Sequence, residues 1–213
     1  INAVATNKVS SAMGTTLATV RYARLGYINM RYTAPAVALA LAGSWLGARA
    51  ALLLSDGVLR IVMLVLLPLM AVYVLKSRRL SDDGAEDFSP KKTALITAVI
   101  ALPIGVYDGF YGPGTGTLLM LLLTGAAHYT LQHAAGTTKV INLATNLAAL
   151  FTYLAGGNVI ALLGVAAGLF NIAGAYLGTR FFSQKGAAAA KPVIIVFICI
   201  FFVKSLGELL GLF

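Results

Sequence analysis

Long apolar stretches separated by short polar ones dominate the chain. Residues 33–54, 58–75, 92–107, 140–155, 159–179 and 193–213 are each nearly free of charge and rich in Ala, Leu, Val and Ile. None alternates with the two-residue period of a strand, and their lengths are those of helices. About 20 apolar residues cross a bilayer as a helix, and apart from closed barrels only helices satisfy their backbone there. The pattern predicts an all-α polytopic membrane protein, set in a lipid bilayer.

Two polar intrusions interrupt this pattern in the same way. "VATNKVSSAMGT" (4–15) and "AGTTKVINLATN" (135–146) each place a Thr two residues before a Lys and run on into an apolar helix. A shift of 131 positions carries Lys8 onto Lys139, Thr6 onto Thr137, Tyr22 onto Tyr153 and Gly26 onto Gly157. The same shift lays "GSWLGAR" (43–49) on "GAYLGTR" (174–180). Lys, Arg, Gly and Tyr matches carry weight because those residues are scarce or costly in membrane spans. The chain therefore divides into a first repeat (1–75), a polar linker (76–91) and a second repeat (92–213). The second repeat opens with a segment, 92–130, that would align with positions ahead of Ile1, so roughly forty further residues are expected in front of the first repeat.

Charge then sets the orientation. The chain has 16 Lys and Arg against 7 Asp and Glu, a net charge of +9. Spans counted along the chain bring Arg21, Arg24, Arg31, Lys76, Arg78, Arg79, Lys91, Lys92, Arg180, Lys185 and Lys191 to one side, against Arg49 and Arg60 on the other. The positive-inside rule makes the first side cytoplasmic and explains the basic balance without nucleic acid. The same count makes the two halves antiparallel, an inverted repeat of the kind found in secondary transporters. Its weak link is 117–125: nine residues rise only about 14 Å of a roughly 30 Å core, so a half-helix or re-entrant segment there would leave the halves parallel. Composition agrees with the membrane reading, at 59% hydrophobic and 11% charged residues against about 45–50% and 25% in soluble domains. The single Cys199 excludes an internal disulfide.

Candidate chemistry concentrates in two places. "GFYGPGTGT" (109–117) breaks a helix, because Gly is about 1 kcal/mol and Pro about 3 kcal/mol worse than Ala in a helix interior. Irregular backbone at membrane depth is tolerated only inside protein or along a cavity, and the freed N–H groups of Gly114, Thr115 and Gly116, at a helix start, suit an anion. The bland alternative is an interfacial turn. Lys139 and Lys8 sit one turn into apolar helices, where a lysine either snorkels or lines a cavity. Recurrence in both halves favours the cavity. Lys139 shares its helix face with Asn142 and Asn146 by i+3 and i+7 spacing, and Lys8 shares its face with Ser11 and Thr15. Asp108, just before the break, either accepts a coupling proton or caps a solvated helix end. Gly43/Gly47 and Gly174/Gly178 read as close helix packing, and Asn171 as a helix–helix hydrogen bond.

"ATNKV", "GFYGPGTGT" and "TTKVINLATNLAALFTYLAGGNV" together resemble the TauE/SafE family of membrane permeases, the sulfite exporter family. The resemblance covers the whole chain, less a first Gly-rich segment. It implies about eight membrane segments in two related halves, a bacterial inner-membrane location, and transport of small sulfur-containing anions such as sulfite or organosulfonates, with no cofactor, metal or catalytic turnover. The substrate-binding candidates are then Lys139, Asn142, Asn146, Thr138, Lys8, Asn7, Ser11, Gly114, Thr115 and Gly116, with Asp108 for proton coupling. No HExxH, CxxC, GxSxG or Walker loop is present, and "GPGTG" lacks the GK[ST] ending. An integral-membrane enzyme acting on an anionic lipid or head group, with Asp108 as its base, is the alternative reading. An assembly subunit whose lysine faces tolerate substitution is a third.

Overall fold

The computed structural model describes residues 1–55, 57–58 and 89–185, with Val196 and Ile200. Most of the apolar stretches 58–75 and 193–213, residues 76–88 of the linker, Arg60, Cys199 and the basic residues Lys76, Arg78, Arg79 and Lys191 lie outside the described residues. Among those described, every regular element is a helix: α1 (Asn2–Arg24), α2 (Met30–Leu53), α3 (Pro90–Phe110), α4 (Thr115–Gly125), α5 (Leu131–Ala155) and α6 (Ala161–Lys185).

Local sequence sets several of these boundaries. Asn29 caps α2 by accepting from the Arg31 amide, Thr130 caps α5 through the His133 amide, and Pro90 fits the first turn of α3, where its missing N–H is no loss. Residues Met30–Leu53, Pro90–Phe110 and Ala161–Gln184 are long and apolar enough to cross a membrane. Two helices carry the paired lysine motifs and extend beyond the apolar stretches. α1, expected from Lys8 onward as a helix, runs 23 residues although no apolar stretch covers it, and α5 runs 25 residues, beginning at Leu131, two turns before Lys139 rather than one. Their lysines, amides and hydroxyls lower hydropathy without breaking the helix, and Lys8, Ser10, Thr138, Asn142 and Asn146 among them are buried inside the protein. α4 has 11 residues, about 16 Å of rise and half a crossing.

Contacts fix the relative directions. Lys8 meets Asn146 and Thr19 meets the carbonyl of Lys139, so α1 and α5 run antiparallel. Thr33 meets Thr137 and Ser44 meets Thr145, so α2 and α5 run parallel. Thr6 meets Ile160, at the start of α6, and Asn171 donates to Ser10, so α1 and α6 run parallel. The Asn171 bond is the helix–helix role expected of it. The loop after α1 touches the start of α5, where His133 Nδ1 lies 3.1 Å from Tyr27 O. Segment 92–131 therefore goes across and returns, with α4 as half of the way back.

Three apolar clusters stack along the helix axes. Ala5, Ala48, Ala51, Ala149 and Tyr153 form one end, Ala36, Ala40, Ala101, Leu119 and Ile141 the middle, and Leu123, Ala127, Tyr129 and Ala134 the other end. Leu162, Leu163, Phe170 and Leu177 on α6 stay exposed, as a lipid-facing surface does. α2 and α3 approach to backbone contact: a Cβ on Gly47 would meet Val106 O, and one on Gly109 would meet Ser44 O. The obstacles are backbone atoms, which cannot swing aside. Gly109→Leu is expected to destabilise the fold by about 3 kcal/mol, the upper part of the overpacking range. Thermal unfolding in detergent measures it, and an unchanged transition would show that the two helices are not so close.

Candidate functional site

The break between α3 and α4 gathers side chains from four helices. Gly112 and Gly114 take positive φ, +101° and +81°, a region that glycine enters without the Cβ penalty. This reverses the chain within four residues, so the C-terminus of α3 and the N-terminus of α4 face α1 and α5 together. Tyr107 spans the turn by donating to Pro113 O at 2.5 Å. Tyr153 on α5 donates to Gly109 O at 2.8 Å, in a carbonyl row that α3 leaves open at its end.

Lys8 and Asp108 form a buried ion pair, 2% and 4% exposed. Lys8 Nζ donates to Asp108 O at 2.5 Å, to Asp108 Oδ1 at 3.2 Å and to Asn146 Oδ1 at 3.3 Å. All three ammonium protons are thereby used. Asp108 has hydroxyls on both oxygens: Thr115 Oγ1 lies 2.9 Å from Oδ1, and Thr145 donates to Oδ2. Neither a snorkelling lysine nor a solvated helix end describes this geometry. Both groups are inside, paired, and close three helices onto the break.

The start of α4 is differently furnished. Thr115 N bonds Gly112 O and Leu118 N bonds Gly114 O. Between them, the amides of Gly116 and Thr117 have no acceptor among the described residues. Thr138 and Asn142 on α5 face this end: a Cβ at Gly116 would come 3.1 Å from Asn142 Nδ2 and 3.9 Å from Thr138 Cγ2. Thr138 Oγ1 and Asn142 Oδ1 are buried without a hydrogen-bond partner, although such groups are nearly always satisfied. A half-turn of the Asn142 amide exchanges its oxygen and nitrogen. Two unbonded backbone N–H groups at a helix N-terminus thus lie beside a stretch of α5 that carries an unpartnered hydroxyl and an unpartnered amide oxygen. That set of donors can hold an oxyanion.

The expected residues divide accordingly. Lys8, Asp108, Thr115 and Asn146 share one hydrogen-bonded cluster, while Gly116, Thr138 and Asn142 border the free helix end, with Gly114 as its N-cap. Lys139 is half-buried and has no hydrogen bond or ion pair among the described residues; it lies one turn before Asn142 on α5. Asn7 is exposed on α1, away from the cluster. Ser11 takes part only through its carbonyl, which accepts the Thr15 hydroxyl at 2.6 Å, so the hydroxyl face read beside Lys8 is partly spent within its own helix. Thr145, Tyr153 and Ser44 were missed as site residues. Thr145 follows Thr138 by seven and Asn142 by three, and that helical spacing was the available signal.

Comparison with known proteins follows the same lines. A family model described as sulfite exporter TauE/SafE matches residues 1–205. A probable membrane transporter protein of a Sinorhizobium species is 32% identical over 197 residues, covering 92% of this chain and 74% of its own length. The probable membrane transporter protein YfcA of Escherichia coli K12 is 29% identical over 208 residues, 97% of this chain and 76% of its own. A probable membrane transporter protein of Haemophilus influenzae is 28% identical over 195 residues, covering 91% and 75%. No solved structure matches significantly.

Proposed function

The chain belongs to the sulfite exporter TauE/SafE family, and from that premise we propose that it carries small sulfur-containing anions, such as sulfite or organosulfonates, across the bacterial cytoplasmic membrane. At the coarser level it is a membrane permease and not an enzyme, as its family and its relatives are membrane transporters. The reading of an enzyme acting on a lipid head group is set aside on that ground. The observation that carries the substrate class is the N-terminus of α4: two unbonded amides facing the buried, unpartnered Thr138 and Asn142. A helix N-terminus carries about half a positive charge, and Lys139 adds an unpaired cation one turn away. A neutral substrate would leave that positive potential uncompensated.

The two repeats, divided by the 76–91 linker, are proposed to be related by a two-fold axis in the membrane plane. Supporting this, the contact of Thr33 with Thr137 has its counterpart, under the 131-residue shift, in the contact of Gly164 with Thr6. α1 and α5, the corresponding helices, run antiparallel as such an axis requires.

Flux into proteoliposomes, measured for sulfite, methanesulfonate, thiosulfate, sulfate and a neutral amino acid, tests the reading. The expected result is saturable flux of at least one sulfur oxyanion and none of the amino acid. No anion flux from folded protein would reject it. Within that assay, Gly116→Val projects two methyl groups toward Asn142 and Thr138, the space assigned to the anion. Flux is expected to fall at least about tenfold, equivalent to about 1.4 kcal/mol, with the unfolding temperature little changed, because the displaced atoms are side-chain ends.

A further inference from the structure

Lys8 and Lys139 are the cations of α1 to α6 that lie away from the helix ends and are not exposed, and Asp108, buried in the last turn of α3, is the acidic residue among those described. Arg21 and Arg24 stand in the last turn of α1, Arg31 in the first turn of α2, Lys91 and Lys92 in the first turn of α3, and Arg180 and Lys185 in the closing turns of α6. Arg49 is exposed beside Trp45. The other titratable side chains near Asp108 are the phenols of Tyr107, Tyr111 and Tyr153, and a phenol is ordinarily neutral at pH 7. With Lys139 one helical turn before Asn142, two cations and one carboxylate give this part of the fold a single net positive charge.

Resting on the anion-permease reading, we propose that the site is charge-matched to monovalent anions, sulfonate monoanions and hydrogen sulfite among them, and that Asp108 sets this count. The reason is the environment. Charge left over in a low-dielectric interior is far more costly than in water, so binding is favoured most when the ligand brings the site to neutrality. One anionic charge does so. A dianion leaves the occupied site negative unless a proton joins Asp108, and then carboxylic acid and dianion enter as a pair. Lys8 cannot serve a second negative charge while Asp108 is ionised, because its three protons are already held by Asp108 and Asn146. The carboxylate is thus a selectivity determinant although it need not touch the substrate. Asparagine in its place keeps an oxygen for Lys8 and the Thr115 hydroxyl while raising the net charge by one.

The test compares affinity for methanesulfonate, a monoanion, with affinity for sulfate, a dianion, on the detergent-solubilised chain at neutral pH. Wild type is expected to prefer methanesulfonate. Asp108→Asn is expected to move the methanesulfonate-to-sulfate ratio toward sulfate by at least about tenfold. Lys139→Gln, which removes a positive charge, is expected to move it the other way, since a dianion loses twice the attraction; Lys139→Arg should leave it in place. The Lys139 pair keeps the test decisive if Asp108→Asn fails to fold. Both anions bound with the same ratio in wild type and the charge variants, or a wild-type preference for sulfate, would overturn the charge matching and leave the permease reading standing. Binding of neither anion by folded wild-type protein would overturn both.

Discussion

Lys8→Met made alone is expected to destabilise the protein by about 3–5 kcal/mol, the range for removing one partner of a buried ion pair. Asp108 stays behind at 4% exposure, with hydroxyl donors but no cation, and its main-chain carbonyl loses its donor as well. The cost comes from leaving a charge stranded. Lys8→Met combined with Asp108→Leu should accordingly recover most of the lost stability, because a buried pair replaced by apolar groups of similar size is often neutral or better. Transport should not recover with it. Thermal unfolding in detergent, read for the two single variants and the double, separates these contributions. Additive losses in the double variant would mean that the two groups do not depend on each other.

Lys139→Ala is expected to do the opposite: little or no loss of stability, and anion affinity weaker by about ten- to a hundredfold. Its ammonium has no partner among the described residues, so removing it strands nothing. A hydrogen bond to a charged group contributes roughly 1.5–3 kcal/mol, which is one to two factors of ten in affinity. Lys139→Arg should retain part of it, as charge survives while donor geometry changes. Affinities measured beside unfolding temperatures distinguish this from a lysine that merely reaches the interface, for which Lys139→Ala would bind as wild type.

The contrast between the two lysines was not legible in the sequence. The 131-residue repeat makes Lys8 and Lys139 equivalent, and it led to two similar anion-binding faces. What differs is the company each keeps. Lys8 meets Asp108, 100 positions away along the chain, and no local spacing announces such a meeting. Asp108 read alone looks like a helix end because it precedes a glycine run; only the return of α4 buries it. The break itself was legible, since four glycines and a proline in nine residues cannot continue a helix in lipid. So was the α5 face, where Asn142 and Asn146 follow from helical spacing alone. α1 fell outside the apolar stretches for a physical reason: Asn, Lys and Ser reduce its hydropathy, yet Lys8 and Ser10 are buried against neighbouring helices and cost less there than a hydropathy window assumes. Thr145 was overlooked because a threonine in an apolar helix ordinarily bonds its own backbone; this one also reaches Asp108.

The proposed seat of the anion is the start of α4. Locating a bound heavy-atom sulfonate, 2-bromoethanesulfonate, by the anomalous signal of its bromine and the density of its sulfonate tests this most directly. Sulfonate oxygens are expected at roughly 3 Å from the amides of Gly116 and Thr117, with Thr138 and Asn142 beside them and the Lys8–Asp108 pair intact. A sulfonate held only by the arginines at the helix ends, with the start of α4 free of it, would rule that seat out.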